Sequence, residues 1–179
     1  MLDYEKLFKL AEECGFNSYG KLDVSTLKFL PEVRDMCKAN TCGMYDKSWA
    51  CPPACGTLDE MREKVQGYNE GILVQTVGQL EDSMDWEGIQ ETSKKQADNF
   101  AKMWEELEKE YVNIMAMGTG ACTRCKKCTY PDAPCRFPDK VASSMEACGL
   151  VVSDVCTANG VKYNHGPNTI CYTGCFLLK

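Results

Sequence analysis

Apolar residues recur at intervals of three and four in two long segments of the chain, residues 3–14 and 85–110. Such intervals place the apolar side chains on one face of a helix. The face of the first segment consists of Tyr4, Leu7, Leu10, Ala11 and Cys14. The face of the second consists of Trp86, Ile89, Ser93, Ala97, Phe100, Trp104, Leu107 and Tyr111. The pattern predicts two amphipathic helices, of which the second is the clearer.

Runs of apolar and β-branched residues predict three main strands, over residues 71–77, 111–117 and 169–178. The first two flank the long helix, so the segment predicts a βαβ unit with a right-handed crossover. Weaker patterns predict a short strand at 20–24, helices from Pro31, over 57–66 and over 140–148, and a brief strand at 150–152. The predicted fold class is therefore α/β, with helices packed on a mixed sheet.

Length and hydropathy limit the architecture and the location. A chain of 179 residues suits one domain, residues 1–179, and its 44% hydrophobic residues supply a core. No apolar run approaches the ~18 residues that a membrane span needs. The first residues, Met-Leu-Asp-Tyr-Glu-Lys, have neither the basic nor the apolar region of a signal peptide. We therefore expect a cytoplasmic protein that does not enter the membrane.

The charge of the chain is acidic, with a net value of −6 at pH 7. Ten carboxylates and four lysines lie between Glu81 and Glu110, so this segment carries the whole net charge. We interpret it as the solvated face of the long helix. An acidic chain of this kind argues against non-specific binding to nucleic acid.

Cysteine is the most unusual feature of the composition. The chain has 13 cysteines but only one histidine, His165. A single histidine excludes sites built on two or more imidazoles within one chain. Without a signal peptide, the cysteines are not expected to form a disulfide framework. The remaining chemistry is all-thiolate metal binding, and we expect a reducing, oxygen-poor host because such thiols oxidise readily.

The densest group of cysteines lies in the second cysteine loop, defined here as residues 118–138. Its spacing is C-x2-C-x2-C-x6-C, and its members are Cys122, Cys125, Cys128 and Cys135. Three thiolates at this spacing, with a fourth near a proline, are typical of loops that hold a 4Fe–4S cluster. The last gap departs from the usual x3 followed by Pro. A zinc ribbon or a disulfide knot is the alternative interpretation.

The first cysteine loop, defined as residues 37–55, has the spacing C-x4-C-x8-C-x3-C. Its members are Cys37, Cys42, Cys51 and Cys55. Glycine, proline, asparagine and serine make this segment a loop. Trp49 and the pair Pro52-Pro53 indicate a defined, covered loop. We predict a second metal centre here. The alternative is that some of these cysteines are spare thiols on a surface excursion.

The other cysteines near the C-terminal end are candidates for a further site. Cys171 and Cys175 would share one face of the final strand, and Cys148 and Cys156 precede them. The simpler interpretation, which we favour, is packing of small apolar side chains in the core.

Several of these motifs together resemble a family described only as a predicted metal-binding protein, a domain of unknown function of anaerobic bacteria and archaea. The motifs are Glu32-Val-Arg-Asp-Met-Cys37, Cys42, Trp49-Ala-Cys-Pro-Pro53, Gly120-Ala-Cys-x2-Cys-x2-Cys, Pro134-Cys-Arg-Phe-Pro138 and Ser144-Met-Glu-Ala-Cys-Gly149. The resemblance spans nearly the whole chain. It implies metal binding through Cys37, Cys42, Cys51, Cys122, Cys125, Cys128 and Cys135. Position 55 often differs in that family, so the resemblance does not extend to Cys55.

The function expected from these features is electron transfer by two 4Fe–4S clusters. Basic residues crowd the second cysteine loop, namely Arg124, Lys126, Lys127, Arg136 and Lys140. They would stabilise a reduced, anionic cluster and could dock a redox partner such as an acidic ferredoxin or a reductase. If Cys55 is not a ligand, an open iron would act as a Lewis acid, and the protein would be an enzyme. A zinc-stabilised binding module is the third alternative.

Overall fold

A computed structural model describes all residues from Met1 to Lys179. Five helices are present: α1 (Tyr4–Cys14), α2 (Pro31–Lys38), α3 (Leu58–Val65), α4 (Trp86–Leu107) and α5 (Val152–Ala158). Five strands form one sheet: β1 (Ser18–Asp23), β2 (Glu70–Gln79), β3 (Ile114–Gly118), β4 (Ser143–Ser144) and β5 (Thr169–Leu178). Short 3₁₀ turns occur at Val24–Thr26 and Pro138–Lys140. The predicted α/β class is confirmed, and no helix has the length and apolar character of a membrane span.

The strands follow the order β1-β2-β5-β3-β4 across the sheet. β5 pairs antiparallel with both β2 and β3, so these two strands run in the same direction. The segment from β2 through α4 to β3 is therefore the predicted strand–helix–strand unit, but β5 lies between its two strands. β4 pairs parallel to β3 over only two residues. The sheet is mixed, as the sequence predicts.

One face of the sheet is covered by α1 and α4. Phe176 on β5 is fully buried there and stacks on Phe100 of α4, with ring centroids 4.3 Å apart. Trp104 meets Phe176 edge-on at 6.4 Å. Leu7 and Ala11 of α1 belong to the same buried cluster. Aromatic pairs in these geometries add to the stabilisation that burial provides, so they help to hold α4 on this face of the sheet.

The opposite face packs against α3, α5 and the turn that follows β4. Leu73, Cys175 and Leu177 point to this side from β2 and β5. Met61 of α3 and Val155 of α5 cover them. Both cysteine loops lie on the edge of the sheet at β3 and β4, so these two layers form the platform that supports the loops.

Local signals explain where several helices begin and end. The Asp3 side chain accepts a hydrogen bond from the Lys6 backbone N–H at the start of α1. Gly15 ends the same helix with a φ of 103°, a conformation that glycine adopts at little cost. α3 begins with a complete capping box between Thr57 and Glu60.

Two local predictions are wrong. Residues 140–148 do not form a helix, because Ser143 and Ser144 pair with Met117 and Gly118 of β3. Residues 150–152 do not form a strand, and α5 begins at Val152 instead. In the first case a long-range pairing overrides the local apolar period.

The buried face of α4 also differs from the prediction in its first half. Trp86 is 69% exposed, whereas Thr92 and Gln96 are buried. Gly78 of β2 lacks the side chain that would collide with Thr92, so the helix approaches the strand closely at that point. These two polar residues therefore occupy contact positions that the predicted face assigned to Ser93 and Ala97.

Candidate metal centre

The second cysteine loop leaves the carboxyl end of β3, and its four cysteines line one small cavity. Cys122, Cys125, Cys128 and Cys135 all contribute to the wall. Arg124, Arg136 and Lys140 line the same cavity. The four thiols thus face a shared space beside three cations, which is the donor set and charge that an anionic thiolate centre requires.

Backbone donors favour the ionised form of Cys128. Burial raises the pKa of this thiol, but backbone N–H groups of Tyr130, Trp49 and Thr129 donate to it and outweigh that cost, so its pKa lies below the ordinary value. The Phe137 N–H donates to Cys135 Sγ at 3.4 Å. Amide donors of this kind stabilise a thiolate and tune a metal bound to it.

The first cysteine loop begins at the C-terminal turn of α2, which carries Cys37. Cys42 is exposed, whereas Cys51 and Cys55 are buried. Burial raises the pKa of Cys37, and charges on Cys42 and Cys51 raise it further. Because these thiols influence one another's ionisation, three of the four predicted ligands lie close together.

Cys55 faces a different neighbour. Its Sγ lies 3.8 Å from the backbone carbonyl oxygen of Ala147. Burial raises the pKa of Cys55, and a charge on Cys55 in turn raises the pKa of Cys148. Burial and a charge on Cys55 also raise the pKa of Cys51. Cys55 therefore connects the first loop to the turn at residues 146–148.

Arg34 is a functional candidate that the sequence analysis did not single out. Its Nη2 donates to the Gly56 carbonyl oxygen at 2.8 Å, while its Nε is buried without a hydrogen-bond partner. No carboxylate pairs with this guanidinium. Its charge instead lowers the thiol pKa values of Cys37 and Cys55, which burial raises. An unpaired buried N–H beside thiols suits an anionic centre. The sequence signal that could have identified Arg34 is its spacing of three residues from Cys37 on one helix, which places the two side chains on the same face.

The two loops pack against each other. The Trp49 indole N–H donates to the Ala133 carbonyl oxygen at 3.1 Å. Trp49 also meets the Tyr130 ring edge-on, with centroids 4.9 Å apart. The Tyr130 hydroxyl donates to Asp46 of the first loop. A charge on Cys122 contributes to the raised pKa of Cys51, after burial and nearer groups. Trp49 and Tyr130 therefore join the two loops.

The thiols are near one another without forming a closed cage. No group of three or more His, Cys, Asp or Glu side chains converges in a geometry that could hold a metal ion. The cavity lined by the second loop has a volume of about 30 Å³. A tetrahedral zinc site needs its sulfurs about 2.3 Å from one metal, and a cluster needs more room than this cavity offers. The donor types fit either centre, and binding either one requires the thiol side chains to rearrange.

The remaining cysteines near the C-terminal end belong to the core. Cys148, Cys156 and Cys175 are buried in the cluster formed with α3 and α5. Cys156 Sγ accepts a hydrogen bond from Gln75 Nε2 at 3.6 Å. Cys171 is half-buried and lies 3.7 Å from the Thr173 hydroxyl. Cys148, Cys156 and Cys175 therefore fill the core, as the sequence favoured, whereas Cys171 lies outside that cluster.

Alkaline pH is expected to destabilise the metal-free protein through these buried thiols. Burial raises the pKa of Cys156 to about 11 and that of Cys148 to about 12. In the unfolded chain a thiol ionises near pH ~8.5, so the unfolded state loses its protons first. Their contribution to the free energy of unfolding is complete below about pH 8.5 and declines above it, by at most about 1.4 kcal/mol per pH unit for each thiol.

Urea unfolding at several pH values between roughly 8 and 10.5 measures this slope. Cys156→Ala is expected to flatten it by removing one of these buried thiols, whereas Thr157→Ala, on the same helix, removes no ionisable group and should leave it unchanged. Equal slopes for the native chain and Cys156→Ala would contradict the linkage.

Comparison with known proteins gives one match. No curated protein and no solved structure matches the chain. The family described as "Predicted metal-binding protein (DUF2284)" matches residues 20–178, which include both cysteine loops and all five strands except the first two residues of β1. Because the match spans most of the chain, the protein belongs to this family of predicted metal-binding proteins.

Proposed function

We propose that the protein carries two 4Fe–4S clusters and transfers electrons. The observation that carries this proposal is the cavity of the second cysteine loop, which four thiols and three cations share. Thiolates at CxxCxxC spacing are the usual ligands of such clusters. A bound cluster supplies one-electron redox chemistry, and the residues described here hold it and set the field around it.

The proposed ligands divide by loop. Those of the second centre are Cys122, Cys125, Cys128 and Cys135. Those of the first centre are Cys37, Cys42, Cys51 and Cys55. Neighbouring thiols influence the ionisation of Cys37 and Cys51, which supports a shared first centre. The contact between the loops would bring the two clusters close to each other, as an electron-transfer route requires.

Cations beside the second centre tune it and suit it to an acidic partner. A 4Fe–4S cluster with four thiolates is negatively charged, so nearby positive charge favours its reduced form and raises its potential. Arg124 lies over the Phe137 ring, 5.8 Å from its centroid, and Phe137 is 44% exposed. We propose this basic surface as the docking site of a ferredoxin or a reductase in a reducing, anaerobic cytoplasm.

Anaerobic purification followed by analysis of iron, sulfide and zinc tests the proposal. We expect a brown protein that absorbs broadly near ~400 nm and holds about eight iron atoms per chain. A colourless protein with stoichiometric zinc would instead establish the zinc-stabilised module. The small volume of the second cavity, about 30 Å³, is the observation that favours zinc.

The position of Cys55 favours a second candidate, an enzyme with an open iron. Its Sγ lies beside the Ala147 carbonyl oxygen and its charge acts on Cys148, so this thiol contacts the turn at residues 146–148. Three thiolates would leave one iron free to bind a hydroxyl or carboxylate substrate. EPR of the reduced protein with and without cyanide distinguishes the candidates. A wild-type signal that shifts with cyanide, and is indistinguishable from that of Cys55→Ser, would exclude the closed cluster.

Arg34→Met is expected to weaken the first centre and to lower its midpoint potential, on the order of 50 mV, because one adjacent positive charge is lost. Redox titration followed by EPR measures the shift. Arg34→Lys keeps the positive charge but lacks the Nε–H donor. Its midpoint potential should therefore stay close to that of the native chain. Arg62→Met, which removes a guanidinium paired with Asp59 on α3, is the control. Unchanged potential and iron content in Arg34→Met would show that the guanidinium serves only the fold.

A further inference from the structure

An open cleft of about 800 Å³ lies between the two cysteine loops, α3 and β3. Thirteen of its twenty lining residues are hydrophobic. Ile114 and Met115 of β3 form part of the floor, and Met61 and Tyr68 line the side of α3. Its size and its mainly apolar lining are those of a site for a small organic molecule.

The cleft touches both proposed centres. Cys55 of the first loop and Cys135 of the second line it together. Trp49, which joins the two loops, lines it as well. A molecule in this cleft would therefore contact one proposed ligand of each cluster. Two one-electron carriers beside a single site suit a substrate that takes two electrons.

The side chains of the cleft indicate the chemistry of that substrate. Trp49 and Tyr68 offer an indole and a phenol ring on which a planar ring can stack. Lys64 is the only cation of the lining and forms no ion pair. Its charge acts on Cys55 and Cys148, so it lies beside their thiols at one end of the cleft. An unpaired cation there stabilises a ring that becomes anionic on reduction.

We propose that this cleft binds a planar two-electron acceptor, a quinone or a flavin ring. This inference rests on the proposed electron-transfer function, since the clusters deliver the electrons. The oxidised ring receives two electrons, which a reduced ferredoxin or reductase supplies and which clusters held by the loop cysteines would relay, and two protons from solvent, and it leaves as the hydroquinone. No bond to the protein forms. Lys64 favours the reduced ring, and the aromatic side chains hold it in the plane between the loops.

Quenching of tryptophan fluorescence tests binding without depending on the clusters. Menadione and lumiflavin are the two probes, and they distinguish a quinone from a flavin. We expect saturable quenching by at least one probe, because Trp49 and Trp104 line the cleft. Ala133→Phe places a bulky ring at an exposed position of the lining and should weaken binding at least tenfold. Lys162→Met, at an exposed lysine outside the lining, should bind as the native chain does.

Stopped-flow re-oxidation of the dithionite-reduced protein tests electron delivery. The probe that binds should re-oxidise the iron–sulfur absorbance rapidly in the native chain and at least tenfold more slowly in Ala133→Phe. Lys64→Met should lose at least threefold in re-oxidation rate. Absence of saturable quenching by both probes would overturn the proposal, as would binding that Ala133→Phe leaves unaffected. Binding without re-oxidation in a protein that contains iron would overturn the acceptor assignment, whereas absence of iron refutes the cluster proposal itself.

Discussion

Substitution of Cys128 by alanine is expected to remove the second cluster, about half of the bound iron, and to destabilise the second cysteine loop. The thiolate of Cys128 accepts hydrogen bonds from backbone N–H groups of both loops. Its loss therefore removes a proposed metal ligand and a contact between the two loops. The loop buries few apolar side chains, and a metal site of this kind supplies folding free energy directly. Cys122→Ala, Cys125→Ala and Cys135→Ala should act in the same way.

Iron and sulfide analysis, the visible spectrum and urea unfolding under anaerobic conditions measure the effect. Cys171→Ala removes a half-buried thiol that lies outside both loops and outside the cavity of the second loop, and it should keep all the iron. Unchanged iron content in any one of the four loop variants would exclude that residue from the ligand set.

Replacement of Trp49 by alanine is expected to disturb both centres, although the residue lies in the first loop only. Its indole N–H bonds to Ala133, its ring packs on Tyr130, and its backbone N–H faces Cys128. Truncation of a large aromatic side chain costs about 3–5 kcal/mol where it is fully buried, and Trp49 is half-buried, so we expect a loss of about 2 kcal/mol.

The comparison variant is Trp49→Phe, which keeps a ring against Tyr130 and loses one hydrogen bond, at a cost of about 1 kcal/mol. Trp86→Ala, at a position 69% exposed, should change neither stability nor iron content. If Trp49→Ala lost iron only from the first centre, the packing of the loops would have no role in holding the second.

Cys51→Ala is expected to remove about half of the iron and to leave a folded domain. If Cys51→Ala lost all the iron, the two loops would share one centre.

The sequence predicted the elements that carry strong local patterns. The final strand, residues 169–178, has the predicted bounds, and α4 and α1 differ from prediction by a few residues at their ends. These segments have a clear apolar period and clear boundaries. The order of the strands could not be read in this way, because the insertion of β5 between β2 and β3 depends on pairing across almost the whole chain.

The candidate site, too, could be predicted only in part from the sequence. Residue type and spacing alone identified the cysteines of the second loop, since the chemistry requires thiolates at short intervals. Arg34, the contact of Trp49 with Ala133 and the cleft lined by Cys55 and Cys135 result from tertiary packing. The spacing of residues along the chain does not predict these features. The departure of Thr92 and Gln96 from the predicted face of α4 has the same origin, because it depends on a glycine in a neighbouring strand.

The central position of β5 has a consequence for the order of events during synthesis. β5 follows both cysteine loops in the chain, yet it is the strand that holds β3, from which the second loop emerges. As the polypeptide leaves the ribosome, all eight loop cysteines therefore appear before the strand that positions them. Under the proposed function, metal insertion is therefore expected to follow translation of β5, and the thiols would have to stay reduced until the sheet closes.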